Sequence, residues 1–229
     1  RVNKALQSRL RRGKNKGYIF RALSLQAMAV KISHALELAE TQGTSALLNY
    51  MEKLSAEAAS DKGSKASRAI VASDEFRQVM DLLSSTDGEH PKMPLLLDLV
   101  VDQIRSKPES KILVFTNYRD SCEMVANHLS KIDGVRVHKL VGQACRYNDR
   151  GLRQEEQVDV LSRFRLGSIN TVVATCVGEE GLDVANTDLV IFYEPVASEI
   201  RSIQRRGRTG RSRPGRVIIL VTRDTRDEA

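Results

Sequence analysis

Eight consecutive residues, Gln204-Arg205-Arg206-Gly207-Arg208-Thr209-Gly210-Arg211, hold the densest chemistry in this chain. Arg208 and Arg211 lie one helical turn apart, so both guanidiniums can share a face. A glycine precedes each of them, which permits close backbone approach. Guanidiniums stay charged and grip phosphate oxygens in a fork, and two on one face suit the tail of a nucleoside triphosphate. A basic solvated turn has the same composition. An upstream element, Ala174-Thr175-Cys176-Val177-Gly178-Glu179-Glu180-Gly181-Leu182-Asp183, favours the phosphate reading. Thr175 ends an apolar run, and Gly178 and Gly181 bracket a carboxylate-rich loop. Asp183 is placed to accept from a ribose hydroxyl or from an arginine, whereas Glu179 and Glu180 read as solvent-facing charges.

Two further segments carry polar groups after apolar runs. Lys111-Ile112-Leu113-Val114-Phe115-Thr116-Asn117-Tyr118 ends in a hydroxyl and an amide that can donate to a phosphate, aided by free amides at the next helix start. Plain helix capping by Asn117 is the alternative. Val141-Gly142-Gln143 opens a polar loop running to Arg153, too long for a tight turn. Gly142 lets a nucleic-acid backbone come near, or serves as a simple turn glycine.

These residues need a scaffold, and the second part of the chain reads as one. After His90-Pro91, a helix over 92–105 tolerates Pro94 in its first turn. Apolar strands at 112–116, 135–140, 170–174, 189–193 and 216–222 then alternate with helices near 119–131, 154–166 and 198–208. Such alternation predicts an α/β fold with a parallel sheet and right-handed crossovers. The β-branched run Val217-Ile218-Ile219-Leu220-Val221 suits a strand buried on both faces. Ligands in such sheets sit at the carboxyl ends of strands, where Thr116, Asn117, Gly142, Gln143 and Thr175 fall.

The first part reads as all-α. Leu25, Met28, Ile32, Leu36 and Ala39 recur every three to four residues and paint one helix face over 18–42. Gly43 stops that helix, and Thr44 starts another carrying Leu47, Leu48, Met51 and Leu54. Residues 55–65 read as a loop or frayed end. Ser73 caps a helix bearing Phe76, Val79, Met80 and Leu83. The chain therefore divides into a helical subdomain, 1–90, and an α/β lobe, 91–229.

Composition sets outer limits. A net charge of +7 is compatible with a polyanionic partner without naming one. Seven basic residues between Arg1 and Lys16, with no acidic residue among them, could track phosphates or form a solvated tail. Cys122, Cys145 and Cys176 form no CxxC pair, so neither a metal site nor a disulfide framework is indicated, and reduced thiols are expected. No apolar run is long enough to span a bilayer, and no membrane partner is expected. Arg1 in the first position suggests a piece of a longer protein.

These motifs, with Gly151-Leu152-Arg153-Gln154-Glu155-Glu156-Gln157 and Phe192-Tyr193-Glu194-Pro195, resemble the second motor lobe of superfamily 2 helicases of the archaeal Hef and Fanconi anaemia M family. Dicer and the antiviral RNA-sensing helicases share the Gln204 to Arg211 signature. The resemblance covers roughly 90–229. It extends into the helical segment, where Glu37-Leu38-Ala39-Glu40-Thr41-Gln42-Gly43 is similar to that family's insertion between lobes. It implies a RecA-like sheet carrying motifs IV, V and VI in a DNA-dependent ATPase that translocates on or unwinds branched DNA. Arg208 and Arg211 would be the catalytic fingers. Gly181, Asp183 and Gln204 would line the nucleotide side for ATP with Mg2+. Thr116, Asn117, Gly142, Gln143 and Thr175 would hold the DNA backbone, and the helical insertion would contact fork arms.

The pattern is incomplete in one respect. The chain has neither a Gly-x-x-x-x-Gly-Lys-Ser/Thr loop nor a DEAH-like metal-binding box; Arg12-Gly13-Lys14-Asn15 is a superficial echo of the first, and Asp74-Glu75-Phe76 sits in an expected helix without a preceding apolar strand. A first lobe must supply those parts, so this chain alone is expected to bind ATP poorly and hydrolyse essentially none. A nuclease module, attached in some archaeal relatives, is a further expected partner. The expected location is the nucleoid of an archaeon or the nucleus of a eukaryote. An RNA-directed helicase is the nearest rival, and a non-catalytic DNA-binding scaffold is another. A Rossmann-type enzyme is disfavoured for want of Gly-x-Gly-x-x-Gly after a first strand.

Overall fold

The computed structural model describes residues 8, 16–86, 88–143, 151–175, 187–195 and 215–228. The chain forms two compact units, Arg1–Glu89 and His90–Ala229.

The first unit is helical: α1 (Lys16–Thr41), α2 (Thr44–Ala59), α3 (Lys65–Val71) and α4 (Asp74–Ser85). Gly43 takes φ 91° between α1 and α2, a left-handed backbone that favours glycine. Ser73 caps α4 by accepting from the Phe76 amide at 3.2 Å. Met51, Leu54, Ile70, Phe76 and Leu83 form the core, with Met28, Leu47 and Leu48 packed against it.

Two expectations are corrected here. Residues 55–59 continue α2, where the sequence suggested a loop or frayed end over 55–65, and α3 at Lys65–Val71 falls almost wholly past that stretch, on residues the sequence left unassigned. Alanine-rich composition favours helix. The short α3 is set by its cap, Ser64, which accepts from the Ser67 amide at 3.1 Å. The second correction concerns the buried face of α1. Of the expected stripe only Met28 joins the core; Leu25, Ile32 and Leu36 are 58%, 54% and 49% exposed, and Ala39 is exposed too. Apolar residues, many of them alanine, occur around most of α1, so periodicity does not select a face. Its buried apolar residues are Ile19 and Leu38, and polar contacts line the Lys31 side. Lys31 Nζ donates to Glu57 Oε2 at 2.8 Å, Tyr50 Oη donates to the Lys31 carbonyl at 3.3 Å, and the His34 and Tyr50 rings meet edge to face.

The Lys31 hydrogen bond holds the Glu57 carboxyl at about 2 against the opposing effect of burial, with help from the Ser67 and Ser64 hydroxyls. A carboxyl depressed in the folded state stabilises fully above its ordinary value of 4.5, and that contribution is lost as pH falls toward about 2. Lys31→Met should therefore return the Glu57 titration toward 4.5 and remove this share of acid resistance. Carbon-detected NMR of the Glu57 carboxyl checks it; an unmoved midpoint contradicts the assignment.

The second unit runs α5 (Lys92–Ser106), β1 (Ile112–Thr116), α6 (Arg119–Leu129), β2 (Val137–Leu140), α7 (Gln154–Leu166), β3 (Thr171–Thr175), β4 (Leu189–Phe192), β5 (Arg216–Ile219) and a 3-10 turn at Arg226–Glu228. The sheet order is β2-β3-β1-β4-β5, and every pairing is parallel. Side chains alternate between its faces. Ile112 and Val114 pack with Leu96 and Val100 of α5 and Val125 and Leu129 of α6. Leu113 and Phe115 pack with Val160 and Phe164 of α7, and the Phe115 and Phe192 rings stack at 5.1 Å. This is a parallel α/β sheet flanked by helices, preceded in the chain by an all-helical segment.

β5 departs from its expected burial. Val217 and Ile219 are 43% and 39% exposed, and the strand ends at Ile219. Among the described residues it is the sheet-order terminus and pairs with β4 alone. A β-branched run marks a strand but not its place in the sheet. At the opposite end of β4, burial pushes the Asp188 carboxyl up, but Lys107 at 2.5 Å and the Lys111 amide at 2.8 Å outweigh it and hold the group below its ordinary value.

Candidate nucleic-acid interface

The parallel sheet gathers the polar strand ends onto one edge. Thr116 of β1 and Thr175 of β3 are register partners; Leu140 of β2 opposes Ala174, and Phe115 opposes Phe192 of β4. Asn117, Gly142 and Gln143 follow directly. Four of the strands therefore deliver their carboxyl ends to one rim, the position where open α/β sheets hold ligands.

The residues along that rim differ in what they present. Asn117 and Gln143 are exposed, and Gly142 is buried. Thr116 is fully buried and its hydroxyl donates to the Tyr118 carbonyl at 3.1 Å, so it shapes the turn from within. Thr175 is 5% exposed. The helix-capping alternative for Asn117 is not what the structure adopts: Tyr118 is the N-cap of α6, without a side-chain cap bond. Gly142 takes no left-handed backbone; among the described residues the glycines that do are Gly43, Gly134, Gly151 and Gly167. Gly181, Asp183, Gln204, Arg208 and Arg211 lie outside the described residues, as do the helix expected over 198–208 and nearly all of the basic run over 1–16.

Three side chains that sequence reading did not assign hold the rim together. Glu194, just after β4, is 2% exposed and accepts from the Asn117 amide at 2.9 Å through Oε2. Arg119, in the first turn of α6, donates to the Gly142 carbonyl. Gln157 of α7 donates through Nε2 to the Val141 carbonyl at 3.1 Å and the Leu152 carbonyl at 3.0 Å. The available signal was a carboxylate directly after a continuous apolar strand in Phe192-Tyr193-Glu194. Beneath the rim, the Cys122 thiol donates to the Val173 carbonyl at 3.3 Å, and burial pushes it up to about 12. It is a core group, not a nucleophile. Among the described residues, no group of three or more His, Cys, Asp or Glu side chains could hold a metal ion, and no helix is long and apolar enough to cross a membrane.

Comparison with known proteins identifies the fold and the family. The helicase conserved C-terminal domain family matches residues 91–213, and the family described as "Putative ATP-dependent RNA helicase, helical bundle" matches residues 1–90. A "Putative ATP-dependent RNA helicase" of Methanocaldococcus jannaschii is 40% identical over 88% of this chain and 25% of its own length. The ATP-dependent DNA helicase mph1 of Neurospora crassa is 31% identical over 93% of this chain and 19% of its own. The crystal structure of the Pyrococcus furiosus Hef helicase domain superposes with a TM-score of 0.75 at 45% identity, covering 98% of this chain and 45% of that one. The chain thus spans a quarter or less of these two curated relatives. It belongs to the helicase conserved C-terminal domain family, as a superfamily 2 motor lobe of the Hef and Fanconi anaemia M kind joined to a helical bundle.

Proposed function

We propose that this chain is the second motor lobe and helical insertion of an ATP-dependent DNA helicase or translocase that works on forked or branched DNA in repair or replication-fork processing. The observation that carries the DNA contact is the convergence of Asn117, Gly142, Gln143, Thr116 and Thr175 on one rim. Asn117 and Gln143 offer side-chain amides to the phosphodiester backbone, and the buried Gly142, Thr116 and Thr175 shape the strand ends beneath. Arg208 and Arg211 stabilise charge on the transferred phosphoryl group, and Gly181, Asp183 and Gln204 line the nucleotide side. A first RecA-like lobe elsewhere in the protein binds ATP and Mg2+ through its own phosphate loop. Hydrolysis opens and closes the two lobes, so the rim steps along one strand while the helical unit meets the fork arms. The working location is a nucleoid or a nucleus, and a nuclease module is a compatible attachment.

An RNA-directed helicase is the second reading, favoured by the RNA helicase wording attached to the Methanocaldococcus relative and to the helical-bundle family. ATP hydrolysis by the intact protein should rise more with forked DNA than with linear duplex, and least with double-stranded RNA. Greater stimulation by double-stranded RNA would overturn the DNA assignment, and equal stimulation by fork and linear duplex would remove the branched-substrate claim.

A further inference from the structure

Glu194 is the least expected group on the rim. A carboxylate that is 2% exposed has given up most of its hydration, which is costly unless strong hydrogen bonds replace it. One of its oxygens is committed to a main-chain amide, that of Asn117. The β1–β4 ladder ends with the Tyr193 amide donating to the Phe115 carbonyl at 2.9 Å. The Glu194 contact extends the attachment by one more link, past the point where strand pairing stops. It fastens the first turn residue after β1 to the segment after β4, while Arg119 fastens the same turn to the Gly142 carbonyl after β2.

The geometry points to Glu194 as a positioning residue that locks the Asn117 turn in the shape that receives a phosphodiester backbone. The inference rests on the DNA-contact reading above and deepens it. Glu194 touches no nucleic acid itself; it fixes the amide of the residue that does. A turn held by a charge-assisted hydrogen bond loses little freedom on binding, so its removal weakens binding by raising the ordering cost. Glu194 also stands ten residues before Gln204 in the chain, so the strand that holds the DNA-contact turn leads onward to the arginine pair.

The test uses the intact helicase with a fluorescent single strand and with ATP turnover as readouts. Glu194→Leu should raise the DNA concentration for half-maximal stimulation about tenfold, the scale of one hydrogen bond to a charged group, with a much smaller change in turnover at saturating DNA. Glu194→Gln keeps a carbonyl acceptor and should recover most of the loss. A Leu variant that folds and responds at wild-type DNA concentrations overturns the inference, as does a uniform loss of saturated turnover with no change in half-saturation. Amide hydrogen exchange on Glu194→Gln decides the matter should the Leu variant fail to fold. The Asn117 amide should be protected in the wild type and keep most of that protection in the Gln variant, whose carbonyl still accepts from it; fast exchange in the wild type overturns the latch. A wild-type protein indifferent to DNA would sink the proposed function, whereas the Asn117 exchange rates would still report on the latch alone.

Discussion

Replacing Arg208 or Arg211 by alanine in the intact protein should lower ATP turnover by about a thousandfold or more while leaving DNA affinity near that of the wild type. The loss is large because a finger arginine acts on charge that develops only in the transition state. Removing it subtracts from catalysis without subtracting from ground-state binding. Lysine should rescue poorly, since a point charge cannot reproduce the planar fork. Steady-state phosphate release and a parallel DNA-binding titration separate the two effects. Turnover near normal in either alanine variant removes the finger assignment. DNA affinity and turnover lost together would place these arginines on the DNA instead.

Breaking the buried pair Lys92–Asp227 should destabilise the α/β unit by about 3–5 kcal/mol, because each partner leaves the other charged and out of water. Lys92, at the start of α5, and Asp227, in the last 3-10 turn, are only 5% and 3% exposed at their side chains. Lys92 Nζ also lies 5.5 Å from the centre of the Tyr193 ring, and Asp227 Oδ2 accepts from the Thr222 amide at 2.9 Å. The pair thus anchors the chain after β5 to the helix that opens the unit. Lys92→Met should show the full loss in urea unfolding followed by circular dichroism. The double variant Lys92→Met with Asp227→Leu should be less damaged than the single one, since no orphaned charge remains. A single variant costing less than about 1 kcal/mol would mean that the site is wetter than its burial indicates.

What the sequence made legible follows from how far each signal reaches. β1 and α7 match their expected bounds, Ile112–Thr116 and Gln154–Leu166, because apolar runs, flanking charges and the Gly167 stop act within a few residues. The cap at Ser73 is equally local. The face of α1 was not legible: its apolar residues encircle the helix, and its contacts, Lys31 with Glu57 and His34 with Tyr50, are with partners distant in sequence. α3 was hidden by a composition of serine, alanine and lysine that also suits a loop. The strand-end rim follows from alternation of strands and helices, so the placement of Asn117 and Gln143 was accessible in advance. Glu194 was only half accessible: a carboxylate directly after an apolar strand marks it, but its partner amide lies 77 positions away.

Under the proposed function, Arg208 and Arg211 complete a triphosphate pocket whose other wall is the first motor lobe. A structure of the intact protein with ADP, magnesium, an aluminium fluoride mimic of the transferred phosphoryl group and a DNA strand tests it most directly. Both guanidiniums should lie within hydrogen-bond reach of the fluorides, about 3 Å, with the DNA backbone along Asn117 and Gln143. Guanidiniums turned away from the nucleotide, with the strand bound elsewhere, would contradict it.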